Sequence, residues 1–286
     1  MRNKRHHAAT MLRLLENARY EVLPTASTEA KVLEHVPTER TVTVTASPSK
    51  GLDATFDLAE RLTGHGYSVV PHIAARMVTG RSELAEICDR LTGKGITKVF
   101  VPGGDADPVG DYMDAFSLLE DLAELGRPFE QVGITGYPET HPTISDDLTV
   151  QSMWDKRRHA TTIVSNLTFD PKAISKWVAR LRARGVTMPL LLGMPGPVDR
   201  TKLLATATKI GVGESTRFLT KHRGTFARLA APGGFTGERF LEQCAPALGT
   251  EEARAEGVHI FTFNQIAETE AWRSRVMEQL TQRVSR

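Results

Sequence analysis

The sequence predicts a (β/α)8 barrel forming one domain over residues 1–286, and three observations predict it. Short apolar segments recur eight times, at 19–24, 41–46, 67–73, 98–102, 131–135, 162–167, 188–193 and 257–262. Most are rich in Val, Ile or Leu and close on Gly, Pro or a polar residue, as strands buried on both faces do. Helical patterns separate them, and 286 residues is a length that one such barrel fills. A doubly wound sheet shares this alternation, because closure leaves no mark on the period.

Taken in order, residues 1–18 read as an amphipathic lead-in helix. The basic start runs into Leu12-Arg-Leu-Leu15 rather than the apolar core of a signal peptide. Residues 53–64 carry Phe56, Leu58, Ala59 and Leu62 at helical positions. Arg81–Gly93 places Leu84, Ile87, Cys88 and Leu91 on one face, with Ser82 as the expected N-cap. The stretches 110–126 and 171–185 both end at glycine, a good helix stop. The interval 194–256 is longer than one helix needs. It predicts extra helices at 200–210, 214–223 and Gly237–Leu248, with a glycine-rich turn, Ala231-Pro-Gly-Gly-Phe-Thr-Gly237, among them. That extra length is expected to wall the substrate site. Residues 273–286 read as a charged terminal helix.

Composition narrows the partners. With 40% hydrophobic and 24% charged residues the chain buries a sizeable core. Its 36 Lys+Arg balance 34 Asp+Glu, a net charge of +2, which argues for neither a nucleic-acid nor a membrane partner. The two cysteines, Cys88 and Cys244, have no metal-ligand spacing and suit a reducing, cytoplasmic compartment. No apolar run is long enough to span a bilayer. Assembly as a homo-oligomer is left open.

A barrel of this kind carries its site on the loops after its strands. The stretch Gly133-Ile-Thr-Gly-Tyr-Pro-Glu-Thr-His-Pro142 is the most informative of these. Pro138 and Pro142 stiffen it, and Tyr137, Glu139 and His141 between them are costly to bury without partners. Strand one offers Glu21, a carboxylate in an apolar strand. Desolvation is expected to raise its pKa, as suits a general acid; pairing with a barrel Lys or Arg is the structural alternative. Thr45 ends strand two and His72 strand three. Strand four leads to Gly103-Gly-Asp105, where glycine lets a ligand approach the backbone. Strand six supplies Ser165 and Asn166. No phosphate loop, dinucleotide fingerprint, zinc spacing or nucleophile elbow is present. The residues on offer are acidic, amide and aromatic, a set for proton transfer and planar-ring binding, with no metal.

In this order and spacing, these residues resemble the methylenetetrahydrofolate reductase family. The specific parts are Gly104-Asp105, Tyr137-Pro-Glu-Thr-His-Pro142, and Lys156 ahead of Ile163-Val-Ser-Asn166, over roughly residues 19–271. The resemblance implies a (β/α)8 barrel that reduces 5,10-methylenetetrahydrofolate to 5-methyltetrahydrofolate in one-carbon and methionine metabolism. It implies catalytic roles for Glu21, as general acid, and for Asp105. It implies folate contacts from Asp105 and Asn166, and cofactor contacts from Thr45, His72, Gly104, Tyr137, His141 and Lys156. The family's hydride comes from NADH or NADPH, usually through FAD.

Several departures fall on the flavin side. Thr45-Ala-Ser-Pro48 stands where the family has Thr-Tyr-Gly, His72-Ile-Ala-Ala75 where it has His-Leu-Thr-Cys, and Gly103 where it has Arg. Hydride transfer directly from NADH or NADPH, without FAD or FMN, is therefore the expectation. The same residues would serve 5-methyltetrahydrofolate oxidation. A folate-binding module without catalysis is the non-enzymatic alternative.

Overall fold

The computed structural model describes residues 2–138, 146–197 and 236–285. Eight parallel strands form one sheet: β1 (Arg19–Val22), β2 (Thr41–Val44), β3 (Val69–Pro71), β4 (Lys98–Phe100), β5 (Gln131–Gly136), β6 (Thr162–Ser165), β7 (Leu190–Pro195) and β8 (Ala255–Phe261). Their spatial order is β3-β2-β1-β8-β7-β6-β5-β4. The two outer strands meet just past their ends. His72 bridges Phe100 in parallel, and the Ile73 amide donates to the Phe100 carbonyl at 2.8 Å. That seam makes the sheet a nearly closed barrel, as the sequence predicts.

Around it run α1 (Arg2–Glu16), α2 (Thr28–His35), α3 (Gly51–Gly64), α4 (Arg81–Gly93), α5 (Ala115–Glu124), α6 (Asp146–Lys156), α7 (Pro171–Ala183), α8 (Gly237–Leu248) and α9 (Ile266–Ser285). Strand alternation decides what faces where. In β1, Tyr20 and Val22 are buried outward against helices, while Arg19 and Glu21 face the lumen. The Tyr20 hydroxyl donates to Glu270 on α9, and Arg273 grips the same carboxylate at 3.0 and 2.8 Å. This buried pair fastens β1 to the last helix. Inside the barrel, Val70, Phe100, Val164 and Leu191 from four strands form a small apolar plug.

Several boundaries differ from the sequence expectation, each for a local reason. The fifth helix starts at Ala115 rather than at 110. The Asp114 carboxylate accepts the amides of Phe116 (2.7 Å) and Ser117 (3.3 Å) and so fixes its first turn. Ser82 does not cap α4. Glu83 reaches back instead, accepting from both the amide and the hydroxyl of Thr79 at 2.6 Å. The terminal helix begins at Ile266, well before 273. The expected helices 200–210 and 214–223 lie outside the described residues, whereas Gly237–Leu248 is a helix as expected.

Gly136, at the end of β5, shows how tightly the outer layer packs. A Cβ there would lie 2.4 Å from the Trp177 ring and 2.8 Å from Ile163 Cγ2. Trp177 is fully buried and has no room to yield. Gly136→Ala is therefore expected to cost about 1–3 kcal/mol, the usual size of overpacking. Chemical denaturation checks it; an unchanged midpoint would mean that the β5–α7 contact is looser than described.

Candidate active site

Lumen-facing alternation brings three titratable side chains from three strands to the C-terminal mouth. Glu21 comes from β1, His259 from β8, and His72 from just past β3. His259 Nε2 lies 2.9 Å from Glu21 Oε2, in hydrogen-bond contact. His72 Nε2 approaches the same oxygen at 3.7 Å. A carboxylate on β1 meets His259 on the adjacent β8 and reaches His72 only across the barrel interior, because β2 lies between β1 and β3. Aromatic neighbours hold the imidazoles. The His72 and Phe100 rings sit 4.7 Å apart, and Phe261 meets His259 edge-on at 5.0 Å. His72 Nε2 and His259 Nδ1 are buried with no hydrogen-bond partner among the described residues.

The electrostatics correct one expectation. Burial is the largest single influence on Glu21 and pushes its pKa up, as the sequence suggested. The hydrogen bond from His259 and the charges of His259 and His72 act against it and prevail, so Glu21 sits below the ordinary carboxylate range. His72 goes the other way for an imidazole. Burial pushes it down to about 4, opposed by Glu21 and assisted by His259. His259 is the residue that the sequence reading missed. Its signal was position: it is the polar residue among the apolar inner positions of Gly257-Val-His-Ile-Phe261, in register with inward Arg19.

The other expected residues lie just past β2, β4, β5 and β6 and at the end of α6. Thr45, past β2, is buried, and its hydroxyl donates to the Ala46 carbonyl at 3.0 Å. Gly104 has φ of 90°, a left-handed backbone that suits glycine. Its turn is laced to the loop after β3, with the amides of Ala75 and Arg76 donating to Pro102 and Gly103 at 3.0 Å. Asp105 is exposed at the rim. Tyr137 is raised above its ordinary pKa by burial first and then by the charge of Asp105, so these two residues are electrostatic neighbours. Lys156, at the end of α6, is lowered by burial against the pull of Asp114 and Asp155. The Asn166 side chain accepts the Leu167 amide at 2.8 Å. His141 and Glu139 lie outside the described residues.

No group of three His, Cys, Asp or Glu among the described residues is placed to hold a metal ion. No described helix is long and apolar enough to cross a membrane. A cleft of about 390 Å³ under the opposite, N-terminal face contains none of the mouth residues. Arg13, Arg19 and Arg40 there are offset by Glu16, Glu39 and Glu256. That face of a barrel serves stability rather than chemistry.

A proton balance follows from His72. Its folded pKa, about 4, lies below its ordinary 6.5, so the unfolded chain binds the proton first. Stability is then fully present above pH 6.5 and is lost as pH falls from 6.5 towards 4. Glu21 adds to the loss only lower down, below 4.5. Urea titrations at stepped pH are expected to give a shallower loss for His72→Gln than for the parent in that window. Equal slopes would show that this imidazole is not held neutral.

The comparisons with known proteins bear on fold and family separately. Two solved structures share the fold at 12% identity and a TM-score of 0.52. One is 2,3-dimethylmalate lyase, a PEP mutase/isocitrate lyase superfamily member, aligned over 96% of this chain and 88% of its own. The other is a putative lyase/mutase from Burkholderia cenocepacia J2315, over 98% and 87%. At that identity they support the barrel and nothing finer. The sequence profile described as "Methylenetetrahydrofolate reductase" matches residues 25–220, well over half of the chain. That segment takes in Thr45, His72, Asp105, Tyr137, Lys156 and Asn166, and it stops short of Glu21 and of His259, which enters through geometry alone. The chain belongs to the methylenetetrahydrofolate reductase family.

Proposed function

We propose that this protein is a cytoplasmic enzyme that reduces 5,10-methylenetetrahydrofolate to 5-methyltetrahydrofolate with NADH or NADPH. The observation that carries the reading is the Glu21–His259 hydrogen bond of 2.9 Å inside the barrel mouth. Opening the methylene bridge requires a proton on its leaving nitrogen, and the product of opening is a cationic iminium at the other nitrogen. The Glu21–His259 pair holds a proton between Oε2 and Nε2 in a partly desolvated site, where it can be delivered to the substrate. Asp105 at the rim supplies negative charge for the iminium, and a charge fixed before reaction favours the cation over neutral folate. Asn166 offers an amide to the pterin edge, and Tyr137 a ring face beside Asp105. A folate-binding module would have no need of a buried carboxylate poised between two imidazoles, and this favours the enzymatic reading.

A flavin, where bound, relays hydride between nicotinamide and folate. Thr45, His72, Gly104, Tyr137, His141 and Lys156 are the positions that would hold it. Its pyrophosphate calls for free amides or cations. After β2, the amides of Lys50 and Gly51 both point to the Ser47 carbonyl at 3.0 Å, and Pro48 has none. Arg76, beside Gly104, has its Nε–H committed to the Met113 carbonyl at 2.8 Å. Among the described residues at these positions Lys156 is the remaining cation, with Asp114 and Asp155 close enough to offset it. This donor set is poor for a dinucleotide flavin and supports hydride transfer directly from the nicotinamide, stacked on the pterin.

Two measurements test these statements. Glu21→Gln keeps the shape and removes the carboxylate from the pair; turnover is expected to fall by at least about a hundredfold while folate binding is largely retained. Turnover near that of the parent would take Glu21 out of the mechanism. Separately, protein shown by its visible spectrum to be free of flavin is expected to oxidise NADH in the presence of methylenetetrahydrofolate, with sequential kinetics. Activity that appears only after FAD or FMN is added would overturn direct transfer.

A further inference from the structure

The strands that carry Glu21 and His259 both end at the mouth, and side chains help to join them there. β1 stops at Val22 and β8 at Phe261. Beyond β8 the chain turns away through Phe263 and Asn264, at φ of 49° and 58°, a left-handed conformation that asparagine tolerates better than most residues. From that turn the Asn264 amide reaches back to β1's next residue. Its Oδ1 accepts the Leu23 amide at 2.8 Å, and its Nδ2 donates to the Leu23 carbonyl at 3.2 Å. Nδ2 also lies 3.0 Å from the buried Thr28 hydroxyl and 3.3 Å from that of Thr25. The Asn264 amide N–H meets Thr262 Oγ1 at 3.1 Å, and Thr262 in turn donates to the Glu21 carbonyl from its hydroxyl (2.6 Å) and its amide (3.3 Å).

The geometry points to Asn264 as a positioning residue: its side-chain amide replaces the missing rung of the β1–β8 ladder and so holds Glu21 against His259. The other edge of β1 needs no such help, because the Thr45 amide donates to the Val22 carbonyl at 3.0 Å and continues the ladder to β2. Losing the Asn264 amide therefore loosens β1 on one side, the side that faces His259. An ordinary turn would satisfy its own backbone; here both polar ends of one amide serve the neighbouring strand. The inference rests on the reading above, in which the Glu21–His259 pair handles the proton.

Asn264→Gly is the direct test, since glycine adopts φ of 58° without strain and only the amide is removed. The expected result has three parts. kcat falls about tenfold to a hundredfold, the effect of a small misplacement, with KM for folate little changed. The imidazole 15N resonances of His259 move, reporting a weakened bond to Glu21. In the double variant Glu21→Gln/Asn264→Gly, kcat equals that of Glu21→Gln alone, because the clamp has nothing left to position. Unmoved His259 resonances, or losses that multiply in the double variant, would overturn the proposal. Should Asn264→Gly not give a cooperative melt, Asn264→Asp is read in the same way; it keeps the acceptor for the Leu23 amide and loses the Nδ2 donor. The two readings fail separately. Parent-like turnover in Glu21→Gln takes Glu21 out of the mechanism, while the His259 resonances and the double variant decide whether Asn264 positions the pair.

Discussion

The seam between β3 and β4 is the constraint on which the mouth depends. Those two strands are the outer members of the sheet order, and the Ile73–Phe100 hydrogen bond with the His72–Phe100 bridge draws them together. Closure converts a row of inward side chains into a ring. It lets His72 share an oxygen with His259, a residue that lies on the far side of β1 and β2 in the sheet. It also sets Phe100 beneath His72, so the apolar plug and the polar mouth share a wall. An open sheet with the same strands would leave Glu21 and His72 on a flat surface, each solvated and without mutual effect.

Within that ring, charge is balanced in a way that neither group achieves alone. A carboxylate moved into the barrel prefers to be neutral, and an imidazole moved there prefers to be neutral as well. Placed together, they divide the cost. Glu21 keeps its charge because two rings lie close to it, and His72 gives up its own because the space is dry. Glu21 and His259 therefore act on each other as a pair, in hydrogen-bond contact at 2.9 Å.

Much of the barrel was legible because buried parallel strands write themselves as short apolar runs, and the eight runs fall where the strands are. Local capping was less legible. Ser82 is a good cap by type, yet Glu83 could reach Thr79 and did, a choice between neighbours that only three-dimensional geometry makes. The short helix Thr28–His35 has few apolar residues and left little periodic trace. At the site, Glu21 and His72 stood out as polar residues at strand ends. The sign of the Glu21 shift did not, because desolvation can be read from an apolar strand while a partner on another strand cannot. His259 went unnoticed for the same reason: in a list of residues it is one histidine among nine, and its meaning comes from facing Glu21.

That facing pair has a consequence for how the molecule is made. Glu21 and His259 are 238 residues apart, and Leu23 and Asn264 are 241 apart. Contacts of such long sequence separation carry the largest loop-closure entropy and cannot form until nearly all of the chain is available. During synthesis β1 emerges early and must wait, with Glu21 and its outward Tyr20 unpartnered, until β8 and α9 follow. The Glu21–His259 contact is thus among the last things the folding chain completes, and no intermediate that lacks β8 already contains it.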